Sequence, residues 1–192
     1  MKIKICGLFN SADIDYVNEA LPDYIGFVFA ESRRKITPET AREFKKRLDP
    51  RIKTVGVFVN ADITDITRLY ADGVIDIAQL HGSEGSEYIE NLKKACGIKV
   101  IKAVNAGNDY PQNADFLLFD NGKGGTGEAF DWKLLPKTQK PFFLAGGINL
   151  NNIEQAVKQG AYCIDLSSGV ETDGKKDREK ILKIVKTVRG KA

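Results

Sequence analysis

The stretch Lys2-Ile3-Lys4-Ile5-Cys6-Gly7 alternates charged and apolar residues with period two, then breaks at a cysteine and a glycine. Such alternation predicts a β-strand, and the glycine marks the turn that follows it. Cys6 therefore ends the first strand, at the foot of the first loop. In parallel α/β folds ligands bind and chemistry occurs at the carboxyl ends of strands. Working outward, short apolar runs recur along the chain. Strands are predicted to start near residues 2, 24, 52, 75, 98, 115, 141 and 162, so successive starts lie 17 to 28 residues apart. Each step holds one strand and one helix.

Helix signals fill most of those gaps. Asn10 or Ser11 caps a helix to about Ala20, and Thr37-Pro38-Glu39 opens another, with threonine as cap and proline as the first helical residue. Further helices are predicted over Asp62–Ala71, from Ser83 or Ser86 to about Ala95, and from about Asp131. Two more cover Asn149–Gln159 and about Lys176–Val188. The segment Asn105–Ala114 carries a glycine, a proline and three asparagines and is too polar and too short for a full helix, so the fifth helix is expected to be short or missing. Eight such units without a domain-sized break predict an α/β fold, a single-domain (β/α)8 TIM barrel over residues 1–192. The alternative is an open doubly wound sheet. Its first turn normally carries GxGxxG, which Cys6-Gly7-Leu8 does not begin.

Composition narrows the function. The 192 residues are 42% hydrophobic and 29% charged, as in an ordinary globular protein. Net charge is +3, from 29 basic against 26 acidic side chains, with no run of five like charges, so no nucleic-acid partner is expected. No segment approaches the roughly 18 continuous apolar residues of a membrane span. The N-terminus has two lysines but no apolar signal core, so neither a membrane nor export is expected. Cys6, Cys96 and Cys163 form no CxxC pair and no disulfide framework, which fits a reducing cytoplasm. A single histidine gives no basis for a zinc site, and no metal is expected.

The residues that end the strands are polar or glycine, while the strand interiors are Ile, Val, Leu and Phe. In a barrel that rim is the catalytic face. Gly146-Gly147 and Ser167-Ser168-Gly169 end neighbouring strands, where glycines let backbone N–H groups approach an anion closely. A short helix after strand eight would turn its positive end to the same spot, a recurrent barrel phosphate site. Either glycine pair alone reads equally as a tight turn. Arg33 or Arg34 offers a guanidinium fork for a carboxylate, and sequence position does not choose between them.

Cys6 and Asp120 are the titratable pair. A cysteine takes a proton only as its thiolate, which a cation such as Lys4 favours. Asp120 emerges from the apolar run Phe116–Phe119, and partial desolvation favours the protonated carboxyl that an acid needs. Taken singly, each reads more simply as a buried structural cysteine and a turn-forming Asp120-Asn121-Gly122. His81 ends strand four, as a ligand contact or as a satisfied structural histidine.

Taken together and in order, the motifs resemble the phosphoribosylanthranilate isomerase family of tryptophan synthesis. They are Lys4-Ile5-Cys6-Gly7, Gly26-Phe27-Val28-Phe29 with Ser32-Arg33-Arg34, Val55-Gly56-Val57-Phe58, and Gln79-Leu80-His81-Gly82. Asp120 with Gly124-Gly125-Thr126-Gly127 and Phe130-Asp131-Trp132, Leu144-Ala145-Gly146-Gly147, and Asp165-Leu166-Ser167-Ser168-Gly169-Val170-Glu171 complete the set. The resemblance implies a cofactor-free barrel performing an Amadori rearrangement, from N-(5-phospho-β-D-ribosyl)anthranilate to 1-(2-carboxyphenylamino)-1-deoxyribulose 5-phosphate.

By the same resemblance Cys6 is the general base and Asp120 the general acid. Arg34 contacts the anthranilate carboxylate, and Gly147, Ser168 and Gly169, beside Gly146 and Ser167, give N–H groups to the phosphate. Asp165 lies near the substrate amine; His81 is a candidate substrate contact by its position alone. The implied partner is a small anionic phosphosugar, and the protein is expected as a cytoplasmic monomer or homodimer. One motif departs: the family has Ser-Pro-Arg where this chain has Ser32-Arg33-Arg34, which predicts a less rigid loop. Two rivals are the aminoaldose isomerase of histidine synthesis, which carries paired aspartates, and a non-catalytic phosphosugar-binding barrel, which needs neither Cys6 nor Asp120.

Overall fold

Period-two alternation in Lys2–Cys6 does form the first strand, and seven more follow it. The computed structural model describes residues 1–105, 110–120, 132, 135–136 and 138–190. The strands are β1 (Lys2–Cys6), β2 (Tyr24–Val28), β3 (Lys53–Phe58), β4 (Ile77–Leu80), β5 (Lys99–Asn105), β6 (Phe116–Asp120), β7 (Phe142–Leu144) and β8 (Cys163–Leu166). Each pairs in parallel with the next, and β1 pairs with β8, so the sheet closes into a barrel.

Helices α1 (Ser11–Ala20), α2 (Pro38–Arg47), α3 (Ile63–Ala71), α4 (Ser86–Cys96), α5 (Ile153–Val157) and α6 (Arg178–Gly190) surround it. A two-stranded hairpin, β9 (Glu171–Thr172) and β10 (Lys175–Lys176), stands between β8 and α6. Residues 110–115 form no helix, in line with a short or missing fifth one. The expected helix from about Asp131, and the Gly124–Gly127 and Phe130-Asp131 motifs, lie outside the described residues.

Strand parity positions the site. Ile3, Ile5, Ile25, Phe27, Leu117, Phe119, Ile164 and Leu166 turn outward and pack under the helices. The alternate residues Tyr24, Val55, Ile77, Ile101, Leu118, Phe143 and Cys163 turn inward and fill the barrel. Stepping two residues along a strand keeps the same face. Cys6, His81, Asp120 and Ser167 therefore stand above this apolar plug, at the carboxyl rim. Lys4 follows the same parity: its charged side chain is fully buried inside the barrel.

Several helix ends differ from expectation for local reasons. Thr37 caps α2 as predicted, its Oγ1 accepting from Thr40 N at 3.2 Å, with Pro38 first in the helix. Asn10 occupies the cap position of α1, and Asp13 reaches back to accept from Phe9 N and Asn10 N at 2.9 and 3.0 Å. Neither Ser83 nor Ser86 caps α4; Gly85 sits there, and Ser86 is already helical. The helix predicted over Asn149–Gln159 shrinks to Ile153–Val157, because Asn149 and Asn152 both donate side-chain N–H groups to Gly147 O at 3.0 Å. Those asparagines brace the β7 loop instead of extending the helix.

Candidate active site

Of the residues singled out on the rim, all but Arg33 line one cavity of about 270 Å³ at the carboxyl end of the barrel, among them Cys6, Arg34, His81, Asp120, Asp165, Gly147, Ser168 and Gly169. Cys6 ends β1 and is nearly buried. Its neighbour across the sheet is Gly26, where a Cβ would stand 2.6 Å from the Cys6 sulfur, so only glycine leaves the thiol room. Ser167 Oγ donates to the Cys6 carbonyl at 3.2 Å and ties the first and eighth loops together.

Beneath Cys6, Lys4 Nζ donates to Asp165 Oδ2 at 2.9 Å inside the barrel. Burial pulls the Lys4 ammonium down, but Asp165 and Cys6 beside it outweigh that and hold it above its ordinary value. Lys4 thus keeps its charge next to the thiol. Asp165 is pushed up by burial, with Lys4 pulling against it. Its Oδ1 is buried with no hydrogen-bond partner among the described residues, an acceptor left over in the site wall.

Across the cavity, Asp120 ends β6 and its Oδ2 lies 3.7 Å from His81 Nε2. Gln79 Nε2 stands 3.1 Å from His81 Nδ1 and fixes the imidazole from below. The β4 loop carrying His81 is held in turn by a buried ion pair, Lys102 Nζ to Glu84 Oε2 at 2.9 Å. Lys102 also donates to Gly82 O at 2.6 Å, and Glu84 accepts from Asn60 N and Gly82 N. Lys102 and Glu84 were not legible as site supports, since they pair across different strands and loops.

The phosphate-type loops have the backbone that the glycines promised. Gly146 and Gly147 sit at φ +84 and +63, a region that favours glycine. A Cβ at Gly169 would stand 1.8 Å from Ile148 O, so the β7 and β8 loops touch only because that residue is glycine. The short helix expected after strand eight is one 3-10 turn, Ser168–Val170. One turn sums few peptide dipoles, so an anion here relies on individual N–H groups rather than a helix field.

Between Arg33 and Arg34 the structure makes a distinction. Arg34 is buried and lines the cavity, while the Arg33 side chain is 55% exposed outside it. The Arg34 fork, open to a ligand in the sequence reading, is largely taken. Its Nε and Nη2 donate to Glu171 Oε1 and Oε2 at 2.7 and 2.9 Å. Glu171 was not singled out as a site residue. The expected slackness from losing proline at residue 33 is countered by Arg34 N donating to Ser32 Oγ and Lys35 N to Ser32 O. Arg33 Nη2 adds a bond to Glu171 Oε2 at 2.6 Å.

The family model described as N-(5'phosphoribosyl)anthranilate (PRA) isomerase matches residues 3–187. A relative from Endomicrobium trichonymphae, named N-(5'-phosphoribosyl)anthranilate isomerase, is 50% identical over 196 residues, covering 98% of each chain. The crystal structure of phosphoribosyl anthranilate isomerase from Thermus thermophilus superposes with a TM-score of 0.88 at 34% identity over 100% of both chains. A further isomerase structure, in complex with reduced 1-(o-carboxyphenylamino)-1-deoxyribulose 5-phosphate, gives a TM-score of 0.80 at 30% identity over 99% of each chain. Matched along nearly its whole length by the family model and by a relative half identical to it, the chain belongs to the phosphoribosylanthranilate isomerase family.

Proposed function

We propose that this chain converts N-(5-phospho-β-D-ribosyl)anthranilate into 1-(2-carboxyphenylamino)-1-deoxyribulose 5-phosphate, with Cys6 as general base and Asp120 as general acid. The observation that carries this reading is the cavity itself: a thiol and a carboxyl face it from β1 and β6, between an arginine and a glycine-lined pair of loops. A substrate with a carboxylate at one end and a phosphate at the other spans that arrangement. Arg34 takes the carboxylate, and the N–H groups of Gly147, Ser168 and Gly169 take the phosphate.

The chemistry runs in two halves. Asp120 gives its proton to the furanose ring oxygen, the C1′–O4′ bond breaks, and the nitrogen lone pair forms the iminium. The iminium acidifies C2′, whose proton passes to the Cys6 thiolate while the C–H electrons make the C1′=C2′ bond of the enolamine. C1′ then takes up a proton as the O2′ proton leaves, giving the ketone. One proton gained at C1′ and one lost from O2′ reset the acid and the base, so the balance closes with no redox step. Lys4 stabilises the thiolate, His81 orients Asp120, and Asp165 accepts from the substrate amine. All these groups belong to one barrel, so a monomer or a homodimer serves equally, and three free cysteines suit a cytoplasmic setting.

The test is growth of a tryptophan-requiring bacterial strain that lacks this isomerase. The wild-type chain is expected to restore growth without tryptophan, and Cys6→Ser is not. Rescue of a strain lacking the aminoaldose isomerase of histidine synthesis, without rescue of the tryptophan strain, would reassign the substrate.

A further inference from the structure

Glu171 is the hub of an ion cluster at the mouth of the cavity. It is buried and accepts from three cations: Arg34, Arg33 and Lys176, whose Nζ lies 2.8 Å from Oε1. Lys176 Nζ also donates to Ser167 O at 3.0 Å. The β9–β10 hairpin returns Lys176 to its pairing partner Glu171 through Asp173 and Gly174, both at positive φ as a two-residue hairpin turn needs. Arg34 reaches this carboxylate across Gly7, where a Cβ would stand 2.4 Å from Arg34 Cδ and where φ is +75. With Nε and Nη2 engaged, Nη1 is the one guanidinium nitrogen of Arg34 without a partner among the described residues.

We propose that Glu171 is a positioning residue that aims Arg34 Nη1 at the substrate carboxylate, an inference that rests on the isomerase reading above. An unheld arginine loses rotamer freedom when a ligand arrives, and a fork already fixed on two oxygens does not. Glu171 also keeps the cluster from collapsing onto the ligand. Its single negative charge among three positive ones leaves a net charge of about +2 beside the cavity, which favours a substrate bearing a carboxylate and a phosphate without placing a bare carboxylate against it. Lys176 shares Oε1 with Arg34 Nε and has a second acceptor in Ser167 O.

The experiment measures calorimetric binding of two ligands: the reduced product, 1-(o-carboxyphenylamino)-1-deoxyribulose 5-phosphate, and the same molecule with a plain phenyl ring. Proteins are the wild type, Glu171→Gln, Glu171→Asp and Arg34→Met. Glutamine offers one acceptor where the fork and Lys176 need two, so it loosens Arg34 while Lys176 keeps its bond to Ser167. Glu171→Gln is expected to weaken the carboxyphenyl ligand about tenfold, and the phenyl ligand by less than about threefold. Glu171→Asp keeps the charge but retracts the fork by one methylene. It is expected to show the same split in smaller measure, so the result does not hang on one variant folding. Equal loss on both ligands, or no loss on either, overturns the proposal. If Arg34→Met weakens both ligands equally, or neither, the carboxylate contact falls and the proposal with it. If the wild type binds neither, the isomerase reading itself fails.

Discussion

Space and charge around one sulfur decide what Cys6 can do: Gly26 leaves room beside it and Lys4 places a retained positive charge beneath it. A serine at residue 6 keeps the shape but is a far poorer base near neutral pH. Cys6→Ser is expected to lower kcat by about 10²-fold or more, with binding of the reduced product within about threefold of wild type. Steady-state kinetics with calorimetry check this, and near-normal kcat would remove Cys6 from the mechanism. Cys6, His81 and Asp120 were legible because each simply ends a strand, a local fact of sequence. Glu171 was not. Lys4 was named as a cation near Cys6, but only the β1–β8 register, Lys4 against Asp165, shows that it is buried and paired. Glu171 gains its meaning from Arg33 and Arg34, 138 and 137 positions earlier in the chain.

At the scale of elements, the loops after β7 and β8 form one unit held by close backbone approach. Gly169→Ala forces a Cβ onto Ile148 O and must push the two loops apart. The expected outcome is at least a tenfold weaker affinity for the phosphate-bearing reduced product, together with a lower melting temperature. Unchanged affinity would show that these loops do not hold the phosphate. The eight strands and the short or missing fifth helix could be read from spacing, since apolar runs and turn residues carry their own signal. The short α5 could not, because Asn149 and Asn152 read as helix starters but spend their side chains on Gly147. Likewise, the hairpin β9–β10 was not read from the sequence, and Lys176, expected to open the last helix, lies in β10.

Across the whole molecule, carboxylates held by cations and N–H donors carry a pH-dependent share of the stability. Burial works to raise Glu171, Glu84 and Asp76, but their partners outweigh it. These are Arg34 and Lys176, then Lys102 with the Asn60 N–H, then Thr54 with Lys45, and all three acids sit below their ordinary values. A carboxyl held low binds its proton more weakly folded than unfolded, so its contribution is complete above the ordinary glutamate value of 4.5 and is lost as pH falls through the lower folded value. Asp165 and Asp13, raised chiefly by burial, act in the opposite sense and soften that loss. The urea midpoint is expected to stay level near neutral pH and to fall below about pH 4.5. Glu84→Gln should lower it at pH 7 by about 1–3 kcal/mol of stability and flatten the acid limb. A midpoint that rises on acidification through pH 4 would contradict these shifts. The central claim concerns the barrel as a catalyst, and the most direct measurement is turnover of freshly generated phosphoribosylanthranilate, followed by loss of its anthranilate fluorescence with and without chelator. The account predicts turnover that the chelator leaves unchanged and that Cys6→Ser and Asp120→Asn each lower by about 10²-fold or more. Folded wild-type protein that binds the reduced product yet turns over no substrate would contradict it.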